Sequence, residues 1–194
     1  MYQLPVSINI GGKDFRIRKD GDYRMVLDCM SALNDIELDE NERLISCLII
    51  FYQDINSYEE LEKFPDIEKA VNEMFKFFNL GGEEKPGLKT NYNLIDYAED
   101  EQLICSAINN VANIEIRTVP YCHWWTFMGY YMAIGECTLS TIVGIRYKIA
   151  THKKLEDYER RFQFENPQYF NRDYRSAEEK AITENFLKEV WNKK

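Results

Sequence analysis

Residues 120–135, read PYCHWWTFMGYYMAIG, are the feature that most restricts how this chain can fold. No formally charged side chain occurs between Arg117 and Glu136. If the segment is helical, one apolar stripe has the i, i+3, i+4, i+7 spacing of a buried helix face: Trp124, Phe127, Met128 and Tyr131. A second face, with Trp125 and Met132, is apolar as well. A helix that is apolar on two faces must be covered by the protein's own core, by a partner or by lipid.

Lipid is excluded by the length and composition of this segment. A helix that spans a bilayer needs about twenty mostly aliphatic residues. Residues 120–135 begin at a proline and contain a histidine, a threonine and two glycines. Residues 1–10 lack the basic start and the long apolar run of a signal peptide. The five cysteines are isolated, as in proteins of a reducing cytoplasm. We therefore expect a cytoplasmic protein with no membrane partner.

The charge balance restricts the partners further. The 194 residues carry a net charge of −9 and suffice for one domain or two small ones. An acidic surface repels phosphate backbones, so we expect no nucleic-acid partner. One basic cluster interrupts the acidic background, at Arg146, Lys148, His152, Lys153 and Lys154. We interpret it as the solvated end of a helix, although it offers an acidic partner a local contact.

Residues 4–18, LPVSINIGGKDFRIR, alternate apolar and polar positions on both sides of a Gly-Gly pair. This pattern predicts a β-hairpin. A two-residue turn would pair Ile8 with Phe15, whereas a four-residue loop would pair Ile10 with Phe15. Both registers keep the same side chains on one face, because the side-chain period of a strand is two. The pattern therefore leaves the register open.

Amphipathic stripes predict helices in most of the remaining chain. Three stripes precede residue 80: Tyr23, Val26, Leu27, Met30 and Leu33; Leu44, Ile45, Leu48, Ile49 and Tyr52; and Ile67, Ala70, Val71, Met74, Phe75 and Phe78. Asp20 or Asp22 is placed to cap the first of these helices. Later in the chain, apolar patterns predict helices over residues 94–111, 120–135 and 138–149. Pro120 is expected to open the tryptophan helix.

The predicted fold is mainly α, with an N-terminal β-hairpin followed by a helical bundle and a second helical unit after a Gly/Pro linker. The linker is residues 81–93, GGEEKPGLKTNYN, whose composition is typical of a flexible connection. It separates residues 1–80, with the hairpin and helices, from residues 94–151, with the Trp-rich helix. Residues 152–194 form a charged helical extension, in which Ser176 and Glu179 make a capping-box pattern.

The histidines and cysteines offer little for catalysis. Only His123 and His152 are present, so one chain cannot build a multi-histidine metal site. Cys122 and His123 are neighbours, and neighbours on a helix point about 100° apart. A thiol–imidazole pair is therefore disfavoured. We interpret Cys122 as a core cysteine beside a histidine that is hydrogen-bonded at a helix start.

The carboxylates give a similarly weak signal. Asp96, Glu99 and Asp100 have i, i+3, i+4 spacing and would approach one another on one helix face. A solvated acidic face near a helix N-terminus is the favoured interpretation, because the helix dipole stabilises anions there. No dinucleotide, kinase or nucleophile-elbow motif is present. We therefore predict a protein that is not an enzyme, with no catalytic residue, no cofactor and no metal site.

The tryptophan segment is suited to packing, either in the protein's own core or against a partner protein. Trp, Tyr and Met are typical of interface centres, because they bury a large area at a small entropy cost. We assign Trp124, Phe127 and Tyr131 to the core. The other face is the predicted partner-binding surface, with Tyr121, Trp125 and Met132.

Three features of the second half resemble a known family. They are the acidic helix start Glu99, Asp100 and Glu101, the His123, Trp124 and Trp125 trio followed by Phe127, and the IVGIR run that ends at Arg146. On these residues the chain resembles the gene product fifteen family of siphophages and prophages, which is encoded in the tail-gene region near the tape-measure gene. The N-terminal hairpin and the first helix resemble that family's opening. The residues after His152 match least.

The resemblance implies a mainly helical, non-catalytic tail assembly chaperone. Such a protein binds the long apolar tape-measure protein, recruits tail-tube subunits in the host bacterial cytoplasm and is absent from the mature virion. Assembly into a homo-oligomer is compatible with this role. Two alternatives stay open. One is a small helical enzyme, metal-dependent or nucleotide-handling, that uses the acidic helix at 96–101. The other is a structural tail subunit.

Overall fold

The computed structural model describes residues 3–35, 37–82, 94–97 and 99–171. Most of the predicted linker, residues 83–93, lies outside the described residues. So do residues 172–194, which hold the capping-box pattern and the last predicted helix. The described chain is mainly helical, with an N-terminal two-stranded antiparallel hairpin and eight α-helices, which confirms the predicted fold class.

The hairpin consists of β1 (Ser7–Ile10) and β2 (Lys13–Arg16). Ile8 pairs with Phe15, so the two-residue turn is the one that forms. Gly11 and Gly12 have φ values of +62° and +86°, the positive φ that a type I′ turn requires and that glycine adopts without strain. One face of the hairpin is buried, through Ile8, Ile10, Phe15 and the adjoining Ile17.

Four helices follow the hairpin: α1 (Tyr23–Leu33), α2 (Glu40–Phe51), α3 (Tyr58–Glu62) and α4 (Ile67–Phe78). Each begins after a residue whose side-chain oxygen accepts a backbone N–H of the first turn: Asp22, Asp39, Ser57 and Asp66. Of the two predicted caps for α1, Asp22 is the one used. The five-residue α3 was not predicted, because it is too short to show a periodic stripe.

Four more helices complete the described chain: α5 (Glu101–Ala112), α6 (Trp124–Met132), α7 (Thr138–Ala150) and α8 (Asp157–Glu165). Two predicted helix starts are wrong. The helix expected from residue 94 begins at Glu101, after a turn in which the Asp96 N–H donates to the Asp100 carboxylate. The tryptophan helix begins at Trp124 instead of Pro120, because His123 is its N-cap.

The chain divides into two compact units. The first contains Met1–Lys85 and Ile108–Ala133, and the second contains Pro86–Ala107 and Ile134–Lys194. This division differs from the predicted one, which placed the tryptophan helix in the second unit. Helix α6 contacts α1 and bonds to the end of α4, so it belongs to the first unit. Contacts between residues far apart in the chain decide this, and chain order does not reveal them.

The core of the first unit is rich in aromatic rings. Phe51 on α2 is fully buried, and its ring meets Phe77 and Phe78 of α4 edge-on, at centroid distances of 5.3 and 5.6 Å. Phe127 of α6 stacks on Tyr23 of α1 at 4.3 Å. Edge-on and stacked ring pairs add stability beyond the area that they bury. Aromatic contacts therefore connect α2 with α4 and α1 with α6 in the first unit.

The second unit has a smaller apolar core. Its buried members are Ile142 and Ile145 of α7 together with Phe170. Partly buried side chains pack around them: Leu103, Ile149, Leu155, Phe162 and Tyr169. Helix α7 forms although β-branched residues have only moderate helix propensity, because two of its isoleucines are buried in this core.

Candidate interaction site at the tryptophan helix

The adjacent tryptophans bind two successive carbonyl groups at the end of α4. Trp124 donates its indole Nε1–H to the carbonyl of Phe78, and Trp125 donates its own to the carbonyl of Phe77, each at 3.0 Å. The last four carbonyls of a helix have no partner within the helix. The tryptophan pair satisfies two of them and fixes α6 against the end of α4.

The two tryptophans differ in burial. Trp124 is 1% exposed, as is Phe127, which places both in the core as predicted. Tyr131, assigned to the core with them, is only half-buried. Trp125 is only half-buried. Its ring lies over Gly81, where a Cβ atom would come within 3.3 Å of a ring carbon. Gly81 also has a φ of +81°, so both the backbone and the indole favour glycine at this position.

His123 holds the start of α6 in place. Its Nδ1 accepts the backbone N–H of Trp125 at 3.0 Å, as an N-cap side chain does. Its Nε2 lies 3.0 Å from the carbonyl oxygen of Pro5 and is therefore the protonated nitrogen. The ring is 1% exposed. A Cβ atom at Gly21 would meet this ring at 3.0 Å and Phe77 at 2.9 Å, so the ring is tightly enclosed.

Cys122 is a buried structural residue. Its backbone N–H donates to the carboxylate of Asp22, and Asp22 also pairs with Arg24 at 3.1 Å. Burial raises the pKa of the Cys122 thiol, and burial lowers the pKa of the His123 imidazole. A nucleophilic thiol needs a lowered pKa instead. The interpretation of this pair as a core cysteine beside a hydrogen-bonded histidine is confirmed.

The three predicted partner-binding residues occupy different settings. Met132 is 63% exposed, Tyr121 is 47% exposed and Trp125 is half-buried. The Tyr121 hydroxyl donates to the carbonyl of Asp20 at 2.9 Å. Asp20 belongs to a turn in which Lys19 and Asp20 both have φ near +50°, a conformation that L residues seldom adopt. Tyr121 therefore supports a strained turn, in addition to presenting part of its ring.

The outward face of α6 is exposed and carries no charge. Its exposed positions are Thr126, Gly129 and Met132, and Ala133 continues the face beyond the helix. A Cβ atom at Gly129 would meet nothing within 4 Å. The opposite face, with Trp124 and Phe127, is fully used by the core. Among the described residues, the face with Trp124 and Phe127 is covered, whereas Met132 on the other predicted face is 63% exposed.

A buried ion pair lies where the sequence suggested a solvated acidic face. Arg146 is 0% exposed and Asp100 is 1% exposed, and two guanidinium nitrogens contact the two carboxylate oxygens at 2.7 and 3.0 Å. The interpretation of Asp100 as a solvated carboxylate is therefore wrong. So is that of Arg146 as the solvated end of a helix. Asp96 instead accepts the N–H of Glu99 and stabilises the turn before α5.

Arg146 also donates hydrogen bonds to backbone carbonyls. It donates to the carbonyl of Leu94 at 2.9 Å and to that of Tyr169 at 2.8 and 3.0 Å. One guanidinium thus connects α7 with the segment before α5 and with the chain after α8. The sequence carried one signal for this role. Arg146 interrupts an apolar helix face between Ile142 and Ile149, which is unusual for a solvated cation.

Metal-binding groups, membrane-spanning helices and grooves are the other features of the described residues that bear on function. No group of three His, Cys, Asp or Glu residues there is arranged to hold a metal ion. No helix in that part of the chain is long and apolar enough to cross a bilayer. The second unit has a shallow groove of about 840 Å³ beside α8. It is lined by Arg160, Gln163, Phe164, Pro167, Gln168, Phe170 and Asn171.

Comparison with known proteins identifies the family. The family model described as Bacteriophage Gp15 protein matches residues 1–166. The chain belongs to this bacteriophage family. The match covers both the N-terminal hairpin and the His123, Trp124 and Trp125 trio, and it ends within residues 152–194, where the resemblance was weakest. No curated protein and no solved structure matches the Gp15 chain.

Proposed function

We propose that this Gp15-family protein is a non-catalytic tail assembly chaperone. It binds the tape-measure protein in the host bacterial cytoplasm, recruits tail-tube subunits to it, and is absent from the finished virion. The observation that carries the proposal is the family match over residues 1–166, since it makes the chain a phage protein. The resemblance of its tryptophan segment to tail-region proteins supports the finer role.

The exposed face of α6 supports binding of an apolar helical client. A tape-measure protein is long, helical and apolar, so a chaperone for it needs an uncharged surface on a rigid support. Thr126, Gly129 and Met132 provide such a surface, and no charge occurs between Arg117 and Glu136. The tryptophan pair fixes the helix beneath it. Methionine adapts to varied apolar partners because its side chain is flexible and polarisable.

The positions of the reactive side chains support a non-catalytic role. Asp100, the central carboxylate of the alternative enzyme hypothesis, is bound to Arg146. The imidazole of His123 uses both nitrogens in structural hydrogen bonds. A metal-dependent enzyme at residues 96–101 would need carboxylate oxygens that are available to an ion. We therefore do not favour that alternative.

The test is co-expression with the neighbouring tape-measure and tube proteins, followed by pull-down on the chaperone. Met132→Lys places a charge on the exposed face of α6, at a side chain that is 63% exposed. Phe164→Lys is the matched control, because Phe164 is 86% exposed and lies in the second unit. Trp125→Ala is a poorer probe, since it also removes a hydrogen bond that fixes α6.

The expected result is capture of the tape-measure protein by the parent chain and by Phe164→Lys, with at least tenfold less capture by Met132→Lys. Loss with Phe164→Lys alone would place the client at the groove beside α8 and contradict the α6 surface. No capture by the parent chain would contradict the chaperone function. Abundant chain in purified particles, measured by mass spectrometry, would instead favour a structural tail subunit.

A further inference from the structure

We propose that His123 is an acid-sensitive latch on the first unit: when its imidazole takes up a second proton, the ring leaves its pocket and the start of α6 loosens. This device is separate from client binding and does not depend on the proposed function. It rests on the two hydrogen bonds of the ring, its burial and the elements that it joins.

The hydrogen bonds of His123 require a neutral ring. Nδ1 accepts the Trp125 N–H, and Nε2–H donates to the Pro5 carbonyl, each over 3.0 Å. A neutral imidazole offers one acceptor and one donor, which is what these partners need. In the cationic ring both nitrogens are donors. The Nδ1–H would then face the Trp125 N–H, and α6 would lose its N-cap.

The pocket offers little to stabilise a cation. The ring is 1% exposed, it lies at a steep angle to the Phe77 ring with a centroid distance of 5.5 Å, and Gly21 closes one side. A buried charge without full hydrogen bonding is strongly disfavoured. The protonated ring therefore gains by moving into water. That movement also breaks the bond to Pro5, so one event frees the N-terminal segment and the start of α6.

The charged group that acts on the ring is Asp22, the N-cap of α1. Asp22 forms an isolated backbone bridge with His123, and its carboxylate favours the protonated ring. That carboxylate is already paired with Arg24 and accepts the N–H of Cys122. The N-terminal segment presents the Pro5 carbonyl, and α4 presents Phe77.

Burial is the largest influence and lowers the pKa of His123 below the ordinary 6.5. The sign of the pH effect follows. The unfolded chain binds a proton at His123 near pH 6.5, whereas the folded chain does so only at lower pH. Stability from the latch is therefore complete above about pH 6.5 and falls as the pH drops through that value toward the folded pKa. One linked proton lowers the folding equilibrium constant by up to about tenfold per pH unit in this range.

The chain provides a matched pair of histidines for the experiment. His152 is exposed, so His152→Gln is the control, while His123→Asn keeps a cap acceptor but cannot titrate. A Trp191→Phe background leaves Trp124 and Trp125 as the fluorescent reporters. Urea midpoints and tryptophan fluorescence are measured from pH 7.5 to pH 5.0, above the range where ordinary carboxyl groups titrate.

The expected result, in the parent chain and in His152→Gln, is a urea midpoint that falls as the pH drops below 6.5, with a change in tryptophan fluorescence at the pH where folded His123 takes up its proton. His123→Asn should show neither change. The same acid transition in His123→Asn would overturn the proposal. Should His123→Asn fail to fold, NMR of the parent chain decides the question. The Trp125 amide signal must shift with the same midpoint as the His123 imidazole, and an amide signal that ignores this titration overturns the latch.

Discussion

The two units fix distant backbone segments in different ways. In the first unit, the neutral indoles of Trp124 and Trp125 bind the last carbonyls of α4. In the second unit, the charged guanidinium of Arg146 binds the carbonyls of Leu94 and Tyr169. Both arrangements give backbone carbonyls a side-chain donor. The indoles need no counter-ion, whereas Arg146 is matched by the buried carboxylate of Asp100.

This difference teaches where each unit is vulnerable. A neutral hydrogen bond contributes about 1 kcal/mol net, and an indole also fills volume. A buried ion pair adds little net stability, because removing two charges from water offsets their attraction. Losing one partner is far more damaging, since the other remains buried and uncompensated. We therefore expect a single substitution in the Arg146–Asp100 pair to cost the second unit much stability, and a single substitution of either indole to cost the first unit less.

Arg146→Met should give the largest effect, a loss of about 3–5 kcal/mol in the free energy of unfolding, because Asp100 is left buried without its partner. Urea titration followed by circular dichroism measures it. The control is the double variant Arg146→Met with Asp100→Leu, which removes both charges and should recover at least half of the loss. A double variant that loses as much as the two single variants together would refute the ion-pair account.

Trp124→Phe should remove about 2 kcal/mol in the first unit, because it leaves the Phe78 carbonyl without a donor and opens a small cavity. Trp125→Phe removes an equivalent bond at a half-buried site and should remove about 1 kcal/mol. Thermal unfolding of the matched pair tests this ranking. Equal losses would mean that burial does not distinguish the two indoles.

The acid response below pH 5 should come in part from the second unit. The hydrogen bond from Lys148, at 2.7 Å, lowers the pKa of Glu159 below its ordinary 4.5. Stability from this pair is therefore present above about pH 4.5 and is lost as the pH falls through the folded pKa. Glu159→Gln should be less stable at pH 7 and show a flatter stability curve from pH 5 to 3. If this variant loses as much stability between pH 5 and 3 as the parent chain, Glu159 does not contribute to the acid response.

Lys19→Gly should give the smallest effect, and in the opposite direction. Lys19 has a φ of +51°, which disfavours a side chain by about 1–2 kcal/mol, whereas added glycine flexibility offsets about 0.5–1 kcal/mol of that gain. We expect a net stabilisation of about 0.5 kcal/mol. Lys19→Ala removes the same charge without relieving the strain and should not stabilise. Differential scanning calorimetry resolves the two.

Local patterns predicted most of the secondary structure. The alternation around Gly11 and Gly12 predicted the hairpin, and apolar stripes predicted α1, α2, α4 and α7. These features depend on residues that are near in sequence, so periodicity and turn chemistry reveal them. Element starts were harder to predict. Helix α6 begins at Trp124 because His123 accepts a backbone N–H, and a histidine cap has no distinctive sequence pattern.

The candidate site was predicted only in part. The sequence identified the uncharged stretch and correctly assigned Trp124 and Phe127 to the core. It gave no indication that the two indoles bind the end of α4, since those carbonyls lie more than forty residues away in the chain. It also treated Asp100 and Arg146 as solvated, because nothing local reveals that residues 46 positions apart meet.

The sequence by itself therefore determined the fold class, the turn chemistry, the amphipathic faces and the family. Tertiary structure alone decided which unit contains α6, which of its two apolar faces stays exposed, and which charges are buried. The physical reason is the distance along the chain over which each effect acts. Propensity and periodicity act over a few residues, whereas burial and pairing depend on which distant segments meet. Residues 120–135 show both: their composition indicated two apolar faces, and packing decided that Trp124 and Phe127 are buried while Met132 is exposed.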